Sequence, residues 1–119
     1  MAYEEAIAQQ IRKVLVCFRL LPGEELSESK MFGGPCFSIN RKMLIGIAKE
    51  NLIVRLHDFD LVAAQAAGLA TPMDFTGKPL RNFAYLPASS WKTDEALLDW
   101  INKSATFVRE QMLTKAAKP

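Results

Sequence analysis

The sequence predicts an α+β fold, an antiparallel sheet of about five strands with helices packed mainly on one face. Three observations point there. Apolar residues recur at helical spacing near both ends of the chain; between them lies a block of short runs rich in Ile, Val, Phe and Leu; and turn residues divide that block. Strands grouped together and flanked by helices are the mark of this class.

The first helix is read from Tyr3, Ile7, Ile11, Val14 and Phe18, which fall on one face at steps of four and three. Glu4 and Glu5 at its start and Arg12, Lys13 and Arg19 toward its end suit the helix dipole. Pro22-Gly23 is the expected stop. Four short runs follow, "ESKMFG", "PCFSIN", "KMLIGIAK" and "NLIVRLH", with Asn40-Arg41 and Glu50-Asn51 as hairpin turns of a meander. The third run is apolar on both faces, because Met43, Ile45 and Ile47 alternate with Leu44, Gly46 and Ala48. Such a strand belongs inside the sheet, with its second face covered as well, and a homodimer is one way to cover it. Asp58 is the expected cap of a short helix, "FDLVAAQAA", that Gly68 ends. "TPMDFTGKP" holds two prolines and a glycine and reads as a loop. "LRNFAYL" reads as the last strand. Thr93 then opens a final helix whose stripe is Leu97, Leu98, Ile101, Ala105, Val108 and Met112. The whole, residues 1–119, reads as one domain.

Composition narrows function by exclusion. The 50% apolar and 24% charged residues are those of a globular domain. No apolar run approaches the length of a membrane span, and "MAYEEAIAQQIRK" lacks the basic start and apolar centre of a signal peptide, so a cytoplasmic protein without a membrane partner is expected. Cys17 and Cys36 read as small buried hydrophobes. A single histidine, His57, and no Cys-x-x-Cys pair leave no metal site or cofactor to expect. Fifteen basic residues against thirteen acidic ones make no case for strong nucleic-acid binding. Lys30, Arg41, Lys42, Lys49 and Arg55 do gather in the strand block, with Lys78 and Arg81 further on. Glu24, Glu25, Glu28 and Glu50 are expected to interleave with these and cancel their field.

The stretch "KMFGGPCFSINRKMLIGI" poses the sharpest question of chemistry, since a lysine beside Gly33-Gly34 suggests a phosphate loop. A Walker loop needs its lysine after the last glycine and a helix behind it; here Lys30 comes first, Pro35 follows, and a strand continues. The glycines fit a bulge, a sharp bend or the close approach of another backbone. His57 beside Asp58 offers adjacency without a nucleophile, and Asp74 in "MDFTG" fits either a lone functional carboxylate or ordinary turn chemistry. No catalytic residues emerge.

"KMFGG", "KMLIGI", "LIVRL" and "TPMDFTGKPLRNFAYL", in that order and spacing, resemble the N-terminal domain of the TfoX/Sxy family of bacterial competence regulators. The usual wording of its two motifs falls on Lys30–Gly34 and Pro72–Leu80, with Lys78 and Leu80 as mild departures. The resemblance implies a two-layer fold of α-β(3)-α-β(2)-α type and an association with DNA uptake and transcriptional co-activation. It covers the N-terminal domain, without the second, helical domain of the full-length regulators.

The expected role is therefore a small cytoplasmic module, regulatory and protein-binding, rather than an enzyme. Lys30, Phe32, Gly33, Gly34, Arg55, Met73, Asp74, Phe75 and Lys78 are the candidate binding surface. The alternative is a small-ligand binder or unrecognised enzyme using a pocket near Asp74, His57 and Arg55.

Overall fold

The computed structural model describes residues 2–31, 34–48, 51–75 and 78–117. In chain order these form α1 (Ala2–Leu15), β1 (Leu26–Met31), β2 (Gly34–Ile39), β3 (Lys42–Ala48), β4 (Asn51–Arg55), α2 (Asp58–Ala66), β5 (Thr71–Phe75), β6 (Lys78–Leu86) and α3 (Asp94–Ala117). The six strands make one sheet in the order β1-β2-β3-β4-β6-β5, and every pairing is antiparallel. This is the expected α+β architecture. It has four strands before α2, as the residues read, where the family resemblance implies three.

The sheet's sixth strand is β5, in the stretch read as a loop. Pro72 lacks an N–H, but β5 lies at the sheet edge, where alternate residues aim their N–H groups away from the single neighbour. The opposite edge, β1, is polar, with Ser27, Glu28, Ser29 and Lys30 all exposed. Between β2 and β3 the chain turns through Asn40 (φ 49°) and Arg41 (φ 70°), the double left-handed geometry of a two-residue hairpin.

The helices and the sheet enclose the main core. Ile7, Ile11 and Val14 of α1 and Leu97, Ile101, Ala105 and Val108 of α3 are buried with Phe37, Ile45, Ile47, Leu52, Val54 and Leu86 of the sheet. Trp100, which the stripe reading passes over, is also buried, its indole N–H donating to the Ser90 carbonyl at 2.8 Å. The register slips between Phe37 and Ser38, so Leu44 faces no partner on β2. Its carbonyl accepts instead from the fully buried Ser104 hydroxyl of α3 at 2.9 Å.

A second, small cluster of Cys36, Met43 and Ile53 lies apart from the main core, with Phe83 and Tyr85 packed on it. Each of its three members is at most 2% exposed within one chain. Of the run Met43–Ala48, whose two apolar faces suggest a homodimer, the residues Met43 to Ile47 are buried within the single chain, and the Ala48 side chain lies outside the described residues.

Three local expectations give way. Helix α1 ends at Leu15, before Phe18; Cys17 and Phe18 instead donate to the Val14 and Leu15 carbonyls in a tight turn that still buries Phe18. Cys17 is consequently exposed, and Cys36 alone is buried. The cap of α2 is His57, whose Nδ1 accepts from the Phe59 N–H at 3.2 Å, and Asp58 becomes the first helical residue. Gly68, at φ 74°, does end α2: its N–H reaches the Gln65 carbonyl and that of Leu69 the Ala64 carbonyl, a Schellman closure.

Candidate functional site

The residues singled out in the sequence fall at two distant corners of the sheet. The described residues of "KMFGG" belong to the end of β1 and the start of β2, those of "PMDFTGKP" to β5 and the start of β6, and β1 and β5 are the two edges. Following the antiparallel registers, the first corner shares its end of the sheet with the finish of β3. The second shares the other end with the start of β3 and the finish of β4. Lys30 is exposed at the first corner. Lys42 and Arg55 belong to the other end. Phe32, Gly33 and Lys49 lie outside the described residues, as do the side chains of Met73, Asp74, Phe75 and Lys78.

Gly34 has a spatial role. A Cβ built there would collide with the backbone carbonyl oxygen of Ile47, so β2 and β3 run closer than any side chain permits. That is the close backbone approach the motif suggests. The second glycine of "KMFGG" serves strand pairing at this position.

His57 and Arg55 do not converge. His57 stacks on Phe59 with centroids 5.7 Å apart and meets Phe107 edge-on at 5.7 Å. It borders two clefts, one with Phe59, Val62, Ala63 and Ala66, the other with Asp60, Lys103 and Glu110. Arg55 lines a third, together with Lys42, Asn82, Phe83, Phe107 and Gln111. Asn82 holds this junction. Its left-handed backbone (φ 69°) lets the amide donate to the Leu56 carbonyl at 3.0 Å and to Asp58 Oδ1 at 2.8 Å.

Two of the glutamates expected to screen the strand-block cations are engaged elsewhere. Glu28 takes the Arg12 guanidinium in a fork at 2.9 and 2.7 Å, and Glu24 takes Arg109 at 2.8 and 2.7 Å. Hydrogen bonds from these arginines hold both carboxyls below the usual range. Arg55 has no such partner among the described residues. Its guanidinium lies 4.9 Å from the Phe83 ring centroid, and its Nε is shut away from solvent with no acceptor among them.

Sequence reading misses the outer face of α2. Phe59 is 82% exposed and Val62 65%, and with Ala63 and Ala66 they form an i, i+3, i+4, i+7 stripe turned away from the sheet. The inner face is carried by Ala64 and Leu61. The signal is present in "FDLVAAQAA", which is apolar around most of its circumference, but periodicity in so short a helix does not say which apolar side stays outside.

Among the described residues no group of three or more His, Cys, Asp or Glu could hold a metal ion, and no helix is long and apolar enough to cross a membrane. No curated protein matches the chain. The family described as the TfoX N-terminal domain matches residues 19–108, from the turn after α1 through most of α3 and across both motifs. The chain therefore belongs to the TfoX N-terminal domain family.

Proposed function

We propose that the chain is a regulatory module of the competence-regulator kind that acts in the cytoplasm by binding another protein. Membership of a family not known for enzymes favours a binding role over catalysis. The observation that carries the reading is the stripe on α2. A nine-residue helix that leaves Phe59 and Val62 in water has a face unmatched by its own core, and such patches mark contact surfaces. Phe59 supplies the large anchor, braced by His57 stacked on it, and the neighbouring cleft of about 540 Å³ has room for an apolar side chain of a partner.

The test compares the parent with a Phe59→Glu/Val62→Glu variant as bait in bacterial lysate, with retained proteins quantified by mass spectrometry. Circular dichroism first establishes that both baits are equally folded. The expected result is a small set of proteins held by the parent at moderate salt and lost from the variant. Equal retention by both, or none by either, would overturn the reading. A second copy of the chain is itself a candidate partner, and sedimentation of parent and variant at tens of micromolar shows whether the stripe mediates self-association.

A further inference from the structure

Three of the described arginines engage a carboxylate or an aromatic ring, and two of them are matched by glutamates. Arg12 and Arg109 each face a carboxylate in a two-bonded fork. Arg55 is the exception. It is half-buried, it stacks on Phe83, and no carboxylate among the described residues is in ion-pair contact with it. Burial pushes its pKa down, with no opposing charge to raise it. A desolvated cation without counter-charge is costly, and an anion close by recovers part of that cost.

The space beside Arg55 has the composition for such an anion. A cleft of about 260 Å³ is lined, among the described residues, by Arg55, Lys42, Asn82, Phe83, Phe107 and Gln111, which include two cations and no carboxylate. Asn82 has both amide hydrogens committed, to Leu56 and Asp58, so the donors left for a ligand are Arg55, Lys42 and Gln111. The nearby carboxylate of Asp58 is tied to Asn82 and borders a different cleft, with Phe59 and Val62. Phe83 and Phe107 form the apolar part of a lining that is otherwise polar.

We propose that Arg55 and Lys42 form a binding site for a single oxyanion, the carboxylate or phosphate of a small ligand. The two cations come from different strands, β4 and β3, at one end of the sheet, and the Arg55 guanidinium lies over the Phe83 ring. The site is separate from the α2 stripe and does not depend on it.

The test is a titration of the purified, isotope-labelled protein with inorganic phosphate and, separately, with acetate, at constant ionic strength against chloride. Amide and Arg55 side-chain resonances are followed by NMR. The expected result is saturable shifts clustered on Lys42, Arg55, Phe83 and Gln111, with affinity weakened at least tenfold in Arg55→Met. Saturation by phosphate alone assigns a tetrahedral group, and by acetate alone a planar one; either supports the site. Lys42→Met, at the first residue of β3, serves if Arg55→Met fails to fold, and weakens binding severalfold. Shifts that do not saturate, that scatter over the surface lysines, or that persist unchanged in these variants would overturn the proposal.

Discussion

Glu24 and Arg109, 85 residues apart, meet in a two-bonded fork with the Glu24 side chain only 7% exposed. The same carboxylate accepts the Leu21 N–H at 2.8 Å, and the same guanidinium donates to the Arg19 carbonyl at 3.0 Å while lying 5.4 Å from the Phe18 ring centroid. Three elements thereby become one corner: the turn after α1, the approach to β1, and α3.

Removing one member of this pair strands the other. Glu24→Gln is expected to cost roughly 3 kcal/mol, the usual scale for orphaning a buried ionic partner. Chemical denaturation with an unchanged m-value checks this. A loss within error of zero would mean that the fork adds nothing.

The same pair sets an acid limit. The Glu24 carboxyl is held below its ordinary range in the folded chain, so its contribution is complete above the unfolded value of about 4.3 and is lost as pH falls through the folded value. Glu28, lowered by Arg12, adds in the same window and direction. Thermal midpoints measured from pH 6 to pH 3 should fall more steeply for the parent than for Glu24→Gln, and the two curves should converge at the acid end.

At Gly34 the obstacle to a side chain is backbone. At Gly46 it is largely the mobile end of Met43, whose Cε lies 2.7 Å from where a Cβ would sit, with Cys36 Cβ at 3.2 Å. Gly34→Ala should therefore destabilise more than Gly46→Ala, within the roughly 1–3 kcal/mol typical of overpacking. Equal effects would show that the β2–β3 approach relaxes freely.

Ser104→Ala leaves the Leu44 carbonyl without its donor at a site sealed from water. A loss of about 1–3 kcal/mol is expected from the unpaired acceptor. Ser104→Cys, which puts a bulkier and weaker thiol donor in place of the hydroxyl, should also lose stability; a neutral result in both would show that the Leu44 carbonyl needs no partner.

Duplex DNA should not bind measurably near physiological salt. Lys30 lies at the opposite end of the sheet from Arg41, Lys42 and Arg55, so these cations do not form one continuous track. A gel shift at micromolar protein, abolished by Lys42→Glu/Arg55→Glu, would contradict this.

What can be read in the sequence is what depends on near neighbours. The apolar steps of α1 from Ile7 to Val14 and of α3 from Leu97 to Val108, the Asn40-Arg41 hairpin and the Gly68 stop are all short-range chemistry, and these stand. Pro72 misleads because its meaning depends on whether its strand is central or at an edge, which no local window tells. The identity of the α2 cap turns on Asn82, 24 residues away, which claims Asp58 and leaves the role to His57. The cleft is illegible for the same reason: Lys42 and Arg55 are brought together by the sheet's register, and the burial that isolates Arg55 follows from it. Of the candidate surface, Lys30 is exposed, Gly34 is buried for strand pairing, and Arg55 is drawn into a cleft with Lys42, a residue outside that surface.

The position of α3 in the chain has a consequence for how the protein is made. Every strand precedes this 24-residue helix, and its anchors reach back 60 residues to Leu44 and 85 to Glu24. A nascent chain emerging from the ribosome therefore completes its strands before the apolar lid that seals them exists. Contacts of such long span are slow to close, and until they do only α1 and α2 are there to cover Ile45, Ile47, Leu52 and Val54. The interval between the synthesis of Leu86 and that of Val108 is the window in which this protein is most exposed to aggregation.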